Sequence, residues 1–178
     1  MGQYYAVVLK DATGNYSRYE SDNGLKLMEF SWFGTSIVNT VLEKLRSHPH
    51  RVMVIGDYAE DKFLKNKDFD LSTVLPLDDM YNKVVLKPNT GKEDDCEEYV
   101  VNHSKCLYFK IDKSDEDWVI FKLFLLCSIG NGQGGGDYYG INEDICGTWF
   151  GDMISVVSED KLDTNLYKEY KVDFNDLW

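Results

Sequence analysis

The first part of the chain alternates between short apolar runs and turn residues. Residues 4–9 are β-branched and aromatic, turn-forming residues follow at 11–15, and residues 16–20 alternate apolar and polar side chains. This order predicts a β-hairpin. Residues 52–55 form a continuous apolar run that ends at Gly56-Asp57. Such a run is typical of a strand buried on both faces.

One segment has the spacing of an amphipathic helix. Within residues 35–47 the apolar side chains recur at helical intervals, at Ile37, Val38, Val41, Leu42 and Leu45. Thr35 or Ser36 can cap the start of this helix, and His48-Pro49 ends it. The spacing therefore predicts one main helix over about residues 35–47.

The pattern of apolar and polar residues that predicts strands and helices becomes weak after residue 60 and is clear again from residue 99. Prolines, paired aspartates and lysines interrupt residues 60–96, which we interpret as a surface excursion. Residues 99–101 and 107–111 predict a second hairpin. The apolar run 118–129 is interpreted as a central strand that could include a short helical turn, and residues 153–157 predict one more strand.

These elements fit one domain. A chain of 178 residues, 43% of them hydrophobic, has the length of a single domain. We therefore expect one α+β domain over residues 1–178, with a mixed, mostly antiparallel sheet and one main helix. The longest apolar run has 12 residues and includes Lys122, so it is too short to span a membrane, which needs about 20. The first twenty residues resemble no secretory signal, and we expect a protein of the host cytoplasm without a membrane partner.

The net charge of the chain disfavours some classes of binding partner. Acidic residues outnumber basic ones by 31 to 19, which gives a net charge of −12. Such a chain repels nucleic acids and anionic membranes, but it attracts a basic groove on another protein. The four cysteines lack the spacing of a zinc site, which excludes a metal ribbon.

A glycine-rich stretch follows the central apolar run. Residues 130–140 contain six of the 14 glycines. The candidate binding residues of this stretch are Gly130, Asn131, Gly132, Gln133, Gly134, Gly135, Gly136 and Tyr138. Consecutive backbone N–H groups without Cβ atoms can cradle a phosphate, but no helix pattern follows, so a dinucleotide site is disfavoured. The alternative is a tight loop in which glycine supplies positive φ.

Three aspartates follow a glycine, at Asp57, Asp137 and Asp152. If they converge in space, they could act as catalytic carboxylates and hold Mg²⁺ for phosphodiester cleavage, since hard cations prefer oxygen ligands. The alternative is ordinary turn chemistry, in which aspartate beside glycine is common.

One histidine is a candidate general base. His103 lies between two predicted strands and could promote a metal-free cleavage, with Lys105 stabilising the developing charge. The alternative is a solvated histidine in a hairpin turn.

Five short motifs stand out along the chain: MGQYY at residues 1–5, GLKLMEFSW at 24–32, GDYA at 56–59, YVVNHSK at 99–105 and GNGQGGGDY at 130–138. Together they resemble a widespread family of bacterial, plasmid and phage proteins of unknown function. The resemblance implies a mobile-element setting, but it supplies no catalytic roles. Gln133 stands where the resemblance implies a basic residue, typically arginine, so phosphate binding by this position is in doubt.

The mobile-element setting and the net charge together suggest an anti-defence protein. We expect an anti-CRISPR inhibitor that binds a Cas9-like, type II RNA-guided nuclease or its guide RNA. The candidate contact acids are Asp94, Asp95, Glu97, Glu98, Asp115, Glu116 and Asp117. One alternative is an RNA-cleaving enzyme, which could truncate the guide RNA through the Gly-Asp carboxylates or His103. Another is a small-molecule-binding domain that uses the glycine-rich loop.

Overall fold

The computed structural model describes residues 4–20, 26, 36–72, 96–111, 121–130 and 145–171. The strands are β1 Tyr5–Lys10, β2 Tyr16–Tyr19, β3 His50–Gly56, β4 Glu98–Asn102, β5 Leu107–Lys110, β6 Ser128–Ile129, β7 Met153–Ser158 and β8 Lys168–Glu169. The helices are α1 Ser36–Ser47 and α2 Phe121–Leu126, with 3₁₀ turns at Asp61–Phe63 and Glu159–Lys161. None of the helices within these ranges is long and apolar enough to cross a membrane.

All eight strands belong to one sheet. Seven of them follow the order β2-β1-β3-β7-β4-β5-β8, and β6 lies beside β3. The β3–β6 and β5–β8 pairs are parallel, and the other pairs are antiparallel. The predicted single α+β fold with a mixed, mostly antiparallel sheet and one main helix is confirmed.

Strand β3 is central because it changes partner along its length. Its first two residues pair with β7, and Val54 and Ile55 pair with β6. Between these stretches, Val52 accepts a hydrogen bond from the Gly151 N–H at 2.9 Å and donates one to the Asp152 carbonyl at 3.2 Å. This change of partner places the chain just before β7 against the middle of β3.

Side-chain alternation gives the sheet an apolar core on each face. The larger core packs β1, β3, β4 and β7 against both helices. The smaller core lies on the other face, where Val8, Met53 and Ile55 contact Phe69 and Leu71. Burial of one such side chain contributes roughly 1.5–3 kcal/mol. Residues 69 and 71 therefore hold the chain after β3 against the sheet.

The central strand predicted over residues 118–129 is corrected by the structure. The described part of this run forms α2 and then the two-residue strand β6. Residues 123–127 are all fully buried, so the run is apolar on every side of the helix. A continuous apolar run of this kind cannot distinguish a buried helix from a buried strand. Residues 118–120 lie outside the described part.

The remaining elements of the sheet follow the sequence pattern closely. Both hairpins, the main helix, the β3 strand and the β7 strand are confirmed, with bounds within two residues of those predicted. The surface excursion at residues 60–96 stays a prediction, because residues 73–95 lie outside the described part. Its described beginning carries the buried side chains of Phe69 and Leu71.

Candidate functional site

The net charge of the chain is unevenly distributed between the described residues and the rest. The described residues contain 15 basic and 15 acidic residues, so together they are neutral. The remaining segments contain 4 basic and 16 acidic residues, which account for the whole net charge of −12. The described framework is therefore electrically balanced.

Ion pairs neutralise many acids of this framework. Glu98 accepts two hydrogen bonds from the Arg46 guanidinium, at 2.6 and 2.7 Å. Glu97 pairs with Lys110, and this bond lowers the pKa of the Glu97 carboxyl. Two of the predicted contact acids are thus already paired within the molecule. The other five, at 94, 95 and 115–117, lie outside the described residues.

Both predicted acidic runs join the framework at the same end of the sheet. The run that ends at residue 95 enters at Cys96, and the run that begins at residue 112 leaves after Ile111. The Ile111 N–H donates to the Glu98 carbonyl at 2.8 Å, and the Glu159 N–H donates to the Glu97 carbonyl at 3.3 Å. We call this end, formed by residues 96–98, 111 and 159–160, the acidic edge.

The charge at the acidic edge also affects a neighbouring phenol. The pKa of Tyr99 is raised by burial, by its hydrogen bond to Glu97 and by the charge of Glu159. The Tyr99 hydroxyl donates to Glu97 Oε2 at 3.1 Å. Burial and the bond to Glu97 therefore favour the neutral, protonated form of Tyr99 at the acidic edge.

The opposite end of β4 carries a second cluster of polar side chains. The Asn102 Nδ2 donates to Asp152 Oδ2 at 2.8 Å, and the Asn102 Oδ1 accepts the Lys105 N–H at 3.0 Å. The Lys105 Nζ lies 3.4 Å from Asp152 Oδ2. The Ser104 hydroxyl accepts the Met153 N–H at 2.9 Å. These bonds fix the hairpin turn to the start of β7.

His103 lies in the same turn with both ring nitrogens engaged. Nε2 is 2.8 Å from the Ser155 hydroxyl, and Nδ1 is 2.8 Å from the Tyr167 hydroxyl. Burial lowers the pKa of His103 below its ordinary value of 6.5, so the ring is neutral at pH 7. His103 thus links β7 to the segment that precedes β8.

This network limits the chemistry that His103 can perform. Ser155 is 5% exposed, so a substrate cannot reach its hydroxyl as a nucleophile. Ser155 points to the face opposite Ile154, whereas Asp152 and its partner Asn102 lie on the Ile154 face. His103 and Asp152 are therefore bonded on opposite faces of the sheet and do not form a catalytic dyad.

Sequence reasoning missed both partners of His103. Ser155 is an isolated polar residue in an apolar strand, and Tyr167 follows a segment without a clear pattern. Only the register between β4 and β7 brings Ser155 to the turn. A buried serine in an apolar strand was the one available signal, because buried polar groups need hydrogen-bond partners.

The structure does not bring the described Gly-Asp carboxylates together. Asp57 follows the end of β3, whereas Asp152 lies beside Val52. The five residue steps from Val52 to Asp57 span about 16 Å of strand, far beyond the ligand distances of one metal ion. Among the described residues, no three His, Cys, Asp or Glu side chains could hold a metal. Asp137 lies outside them, and a role for Mg²⁺ stays a prediction.

Gly151 has a structural role in its Gly-Asp pair. Its φ is +76°, and a Cβ atom here would overlap the Phe69 ring. The Arg51 guanidinium donates to the Gly151 carbonyl at 2.8 Å. The Gly151-Asp152 pair therefore fits the alternative in which aspartate beside glycine belongs to an ordinary turn.

The glycine-rich loop begins beside the first Gly-Asp pair. Ile129 pairs with Ile55 in parallel, so Gly130 follows β6 next to Gly56, the last residue of β3. Residues 131–138, including the other candidate binding residues of the loop, lie outside the described part. A phosphate cradle there stays a prediction.

Comparisons with known proteins gave no match. A scan against protein-family models, a search of curated proteins and a search of solved structures each found nothing similar to this chain. The resemblance to the phage and plasmid family therefore stays a prediction from the motifs.

Proposed function

We propose that the protein is an anti-defence inhibitor that binds a Cas9-like RNA-guided nuclease. The observation that supports this proposal is the charge distribution. The chain has a net charge of −12, and the two predicted acidic runs meet the described sheet at the acidic edge, where Ile111 and Glu159 bond the backbone of Glu98 and Glu97.

The physical basis is electrostatic complementarity. RNA-guided nucleases hold their guide and target in a positively charged channel. An acidic protein can occupy such a channel and compete with nucleic acid. Glu97 and Glu98 are paired with cations of the same chain, so the proposal places the contacts on Asp115, Glu116 and Asp117.

One route of the alternative RNA-cleaving enzyme uses His103. A neutral imidazole can act as a general base. Here, however, a substrate would have to displace the Ser155 or the Tyr167 hydroxyl from the ring. This geometry disfavours the metal-free route, and the route through the Gly-Asp carboxylates includes Asp137, which lies outside the described residues. Small-molecule binding by the glycine-rich loop gains no support, because only Gly130 of that loop is described.

A charge-reversal experiment tests the inhibitor. The purified protein is added to the nuclease–guide complex, and target cleavage and complex affinity are measured at rising salt. We expect inhibition, and about tenfold weaker binding when salt rises from about 0.1 to about 0.5 M, because exposed charges are screened. The variant Asp115→Lys, Glu116→Lys, Asp117→Lys should lose most of the inhibition.

A matched control variant distinguishes an effect of where the charges lie from an effect of the total net charge. The variant Glu43→Lys, Glu60→Lys, Glu169→Lys changes the net charge equally at exposed positions outside the predicted acidic runs. It should inhibit like the wild type. Equal inhibition by both triple variants would remove residues 115–117 from the interface.

The same samples test for RNA cleavage. Guide RNA incubated with the protein, in Mg²⁺ or in EDTA, should remain full length on a denaturing gel. RNA that is shortened in EDTA, but not by His103→Ala, would establish the enzyme instead.

A further inference from the structure

Exposed aromatic side chains gather at the end of the sheet opposite the acidic edge. Among the described residues, four large hydrophobic side chains are exposed, and two of them, Tyr4 and Tyr58, lie just beyond the paired ends of β1 and β3. Tyr4 and Tyr58 are each 48% exposed. Clustered rather than scattered exposed apolar groups mark interaction sites.

A carboxylate is fixed beside Tyr4, in the same turn as Tyr58. The Asp57 N–H donates to the Tyr4 carbonyl at 2.9 Å, and the Tyr4 N–H donates to Asp57 Oδ1 at 3.2 Å. Because Tyr5 pairs with Gly56, these two bonds continue the β1–β3 pairing by one residue on each side. The Asp57 carboxylate is therefore held against the backbone of Tyr4.

Tyr58 is held by the turn that contains Asp57. The Ala59 N–H donates to the Gly56 carbonyl at 2.9 Å, so Asp57 and Tyr58 are the two central residues of a four-residue turn. Ala59 and Leu64 pack against the smaller core. The turn is thereby attached to the sheet on both sides while its two central side chains stay exposed.

The Asp57 charge is not used within the described part of the chain. There the carboxylate makes no ion pair, unlike Glu97, Glu98 and Asp152. Among the described residues, its partner is a backbone N–H, which donates to Oδ1. A negative charge held beside exposed π faces is complementary to a cation, because both the carboxylate and the ring faces attract positive charge.

We propose that Tyr4, Asp57 and Tyr58 form a binding site for a cationic side chain, with the guanidinium of an arginine on a basic partner protein as the occupant. Arginine fits because its planar group stacks on a ring while its N–H donors reach a carboxylate. The same segment already shows such a contact, since the Lys62 Nζ lies 4.8 Å from the centre of the Phe63 ring. A phosphate-bearing ligand is disfavoured by the net charge of −12.

This site lies at the end of the sheet opposite the acidic edge and does not depend on the proposed function. It is tested on the full chain by NMR, with N-acetyl-arginine amide as the probe and the uncharged analogue N-acetyl-citrulline amide as its control. We expect amide shifts at Tyr4, Asp57 and Tyr58 with arginine, with a Kd on the order of millimolar for a single side chain. Citrulline should give no shifts there.

Two variants and one control make the test specific. Asp57→Asn removes the charge but keeps an oxygen that accepts the Tyr4 N–H, so the fold is preserved while arginine binding weakens about fivefold or more. Tyr58→Leu should weaken binding to a similar extent, because it removes a ring from an exposed position. Glu43→Gln removes an exposed helical carboxylate and should leave binding unchanged.

Three results would overturn the site. They are equal shifts with citrulline, unchanged arginine binding by Asp57→Asn, and shifts spread equally over the exposed acids, including Glu43. The last of these would show general attraction between the probe and an acidic protein. None of these results bears on nuclease inhibition through the acidic edge, which is measured separately.

Discussion

The side-chain amide of Asn102 joins the carboxylate of Asp152 across β4 and β7 at 2.8 Å, although the two residues are 50 positions apart in the chain. Asn102 is fully buried, and its Oδ1 also accepts the Lys105 N–H. The YVVNHSK motif and the Gly151-Asp152 pair are therefore parts of one hydrogen-bonded unit.

Replacing the buried amide should destabilise the protein. Asn102→Ala removes both hydrogen bonds and leaves the Lys105 N–H without its partner, so we expect a loss of about 1–3 kcal/mol in the free energy of unfolding. Urea denaturation measures this loss. Asn15→Ala, in an exposed turn, serves as the control and should cost less. Equal losses in the two variants would contradict a structural role for the Asn102–Asp152 bond.

The stability should depend on pH through His103. Its pKa in the folded protein is lowered by burial, so the unfolded chain takes up a proton at higher pH than the folded one. The free energy of unfolding is therefore largest above about pH 6.5 and falls as the pH falls below that value. Urea unfolding between about pH 5 and 7.5 measures this slope.

Histidine variants assign that pH dependence. His103→Gln should flatten the slope, because it removes the group whose pKa is lowered by burial. His50 also has a pKa lowered by burial, so part of the slope remains in His103→Gln. An unchanged slope in His103→Gln would show that His103 has the same pKa in both states.

The two hydroxyl partners of His103 should contribute unequally. Ser155→Ala removes the hydroxyl partner of His103 Nε2 at a buried position. It should lower the free energy of unfolding by about 1–3 kcal/mol. Tyr167→Phe removes a bond at a less buried position and should cost about 0.5–1.5 kcal/mol. A double-mutant cycle between His103→Ala and Ser155→Ala measures their coupling. Strictly additive losses would contradict the bond.

Gly151 and Gly14 allow steric overlap to be separated from backbone strain. Both have positive φ, +76° and +92°, but a Cβ at Gly151 meets the Phe69 ring, whereas a Cβ at Gly14 meets nothing within 4 Å. Gly14→Ala should cost about 1–2 kcal/mol from backbone strain alone. Gly151→Ala should cost about 1–3 kcal/mol more, because the Phe69 ring must move. Thermal unfolding of both variants measures this difference, and equal losses would show that Phe69 adapts freely.

The sequence predicts the elements whose patterns are local. The alternation before and after residues 11–15 and the helical spacing from Ile37 to Leu45 each match one secondary structure. The run around Leu123–Cys127 is misinterpreted, because it is apolar on every side and its buried helix leaves no periodic signal.

The candidate sites show the same division between local and long-range information. His103 and Asp152 stand out in short motifs, so the sequence identifies them as candidates. Their partners do not, because Ser155 reaches His103 only through the pairing of β4 with β7. The separation of Asp57 from Asp152 likewise follows from strand register, which motif spacing does not encode.

Because β3 changes partner along its length, the sheet consists of two parts that are joined by a short stretch of strand pairing. We call this stretch the seam. Beyond the hydrogen bonds at Val52, only His50 and Arg51 of β3 pair with β7, so the β2-β1-β3 part and the β7-β4-β5-β8 part share a short ladder. The acidic edge belongs to the second part, and the Tyr4–Asp57–Tyr58 site belongs to the first. A partner that touches both would bridge the seam and restrain the two parts relative to each other. Amide hydrogen exchange at Val52 and Arg51 would then slow on binding, even though neither residue contacts the partner.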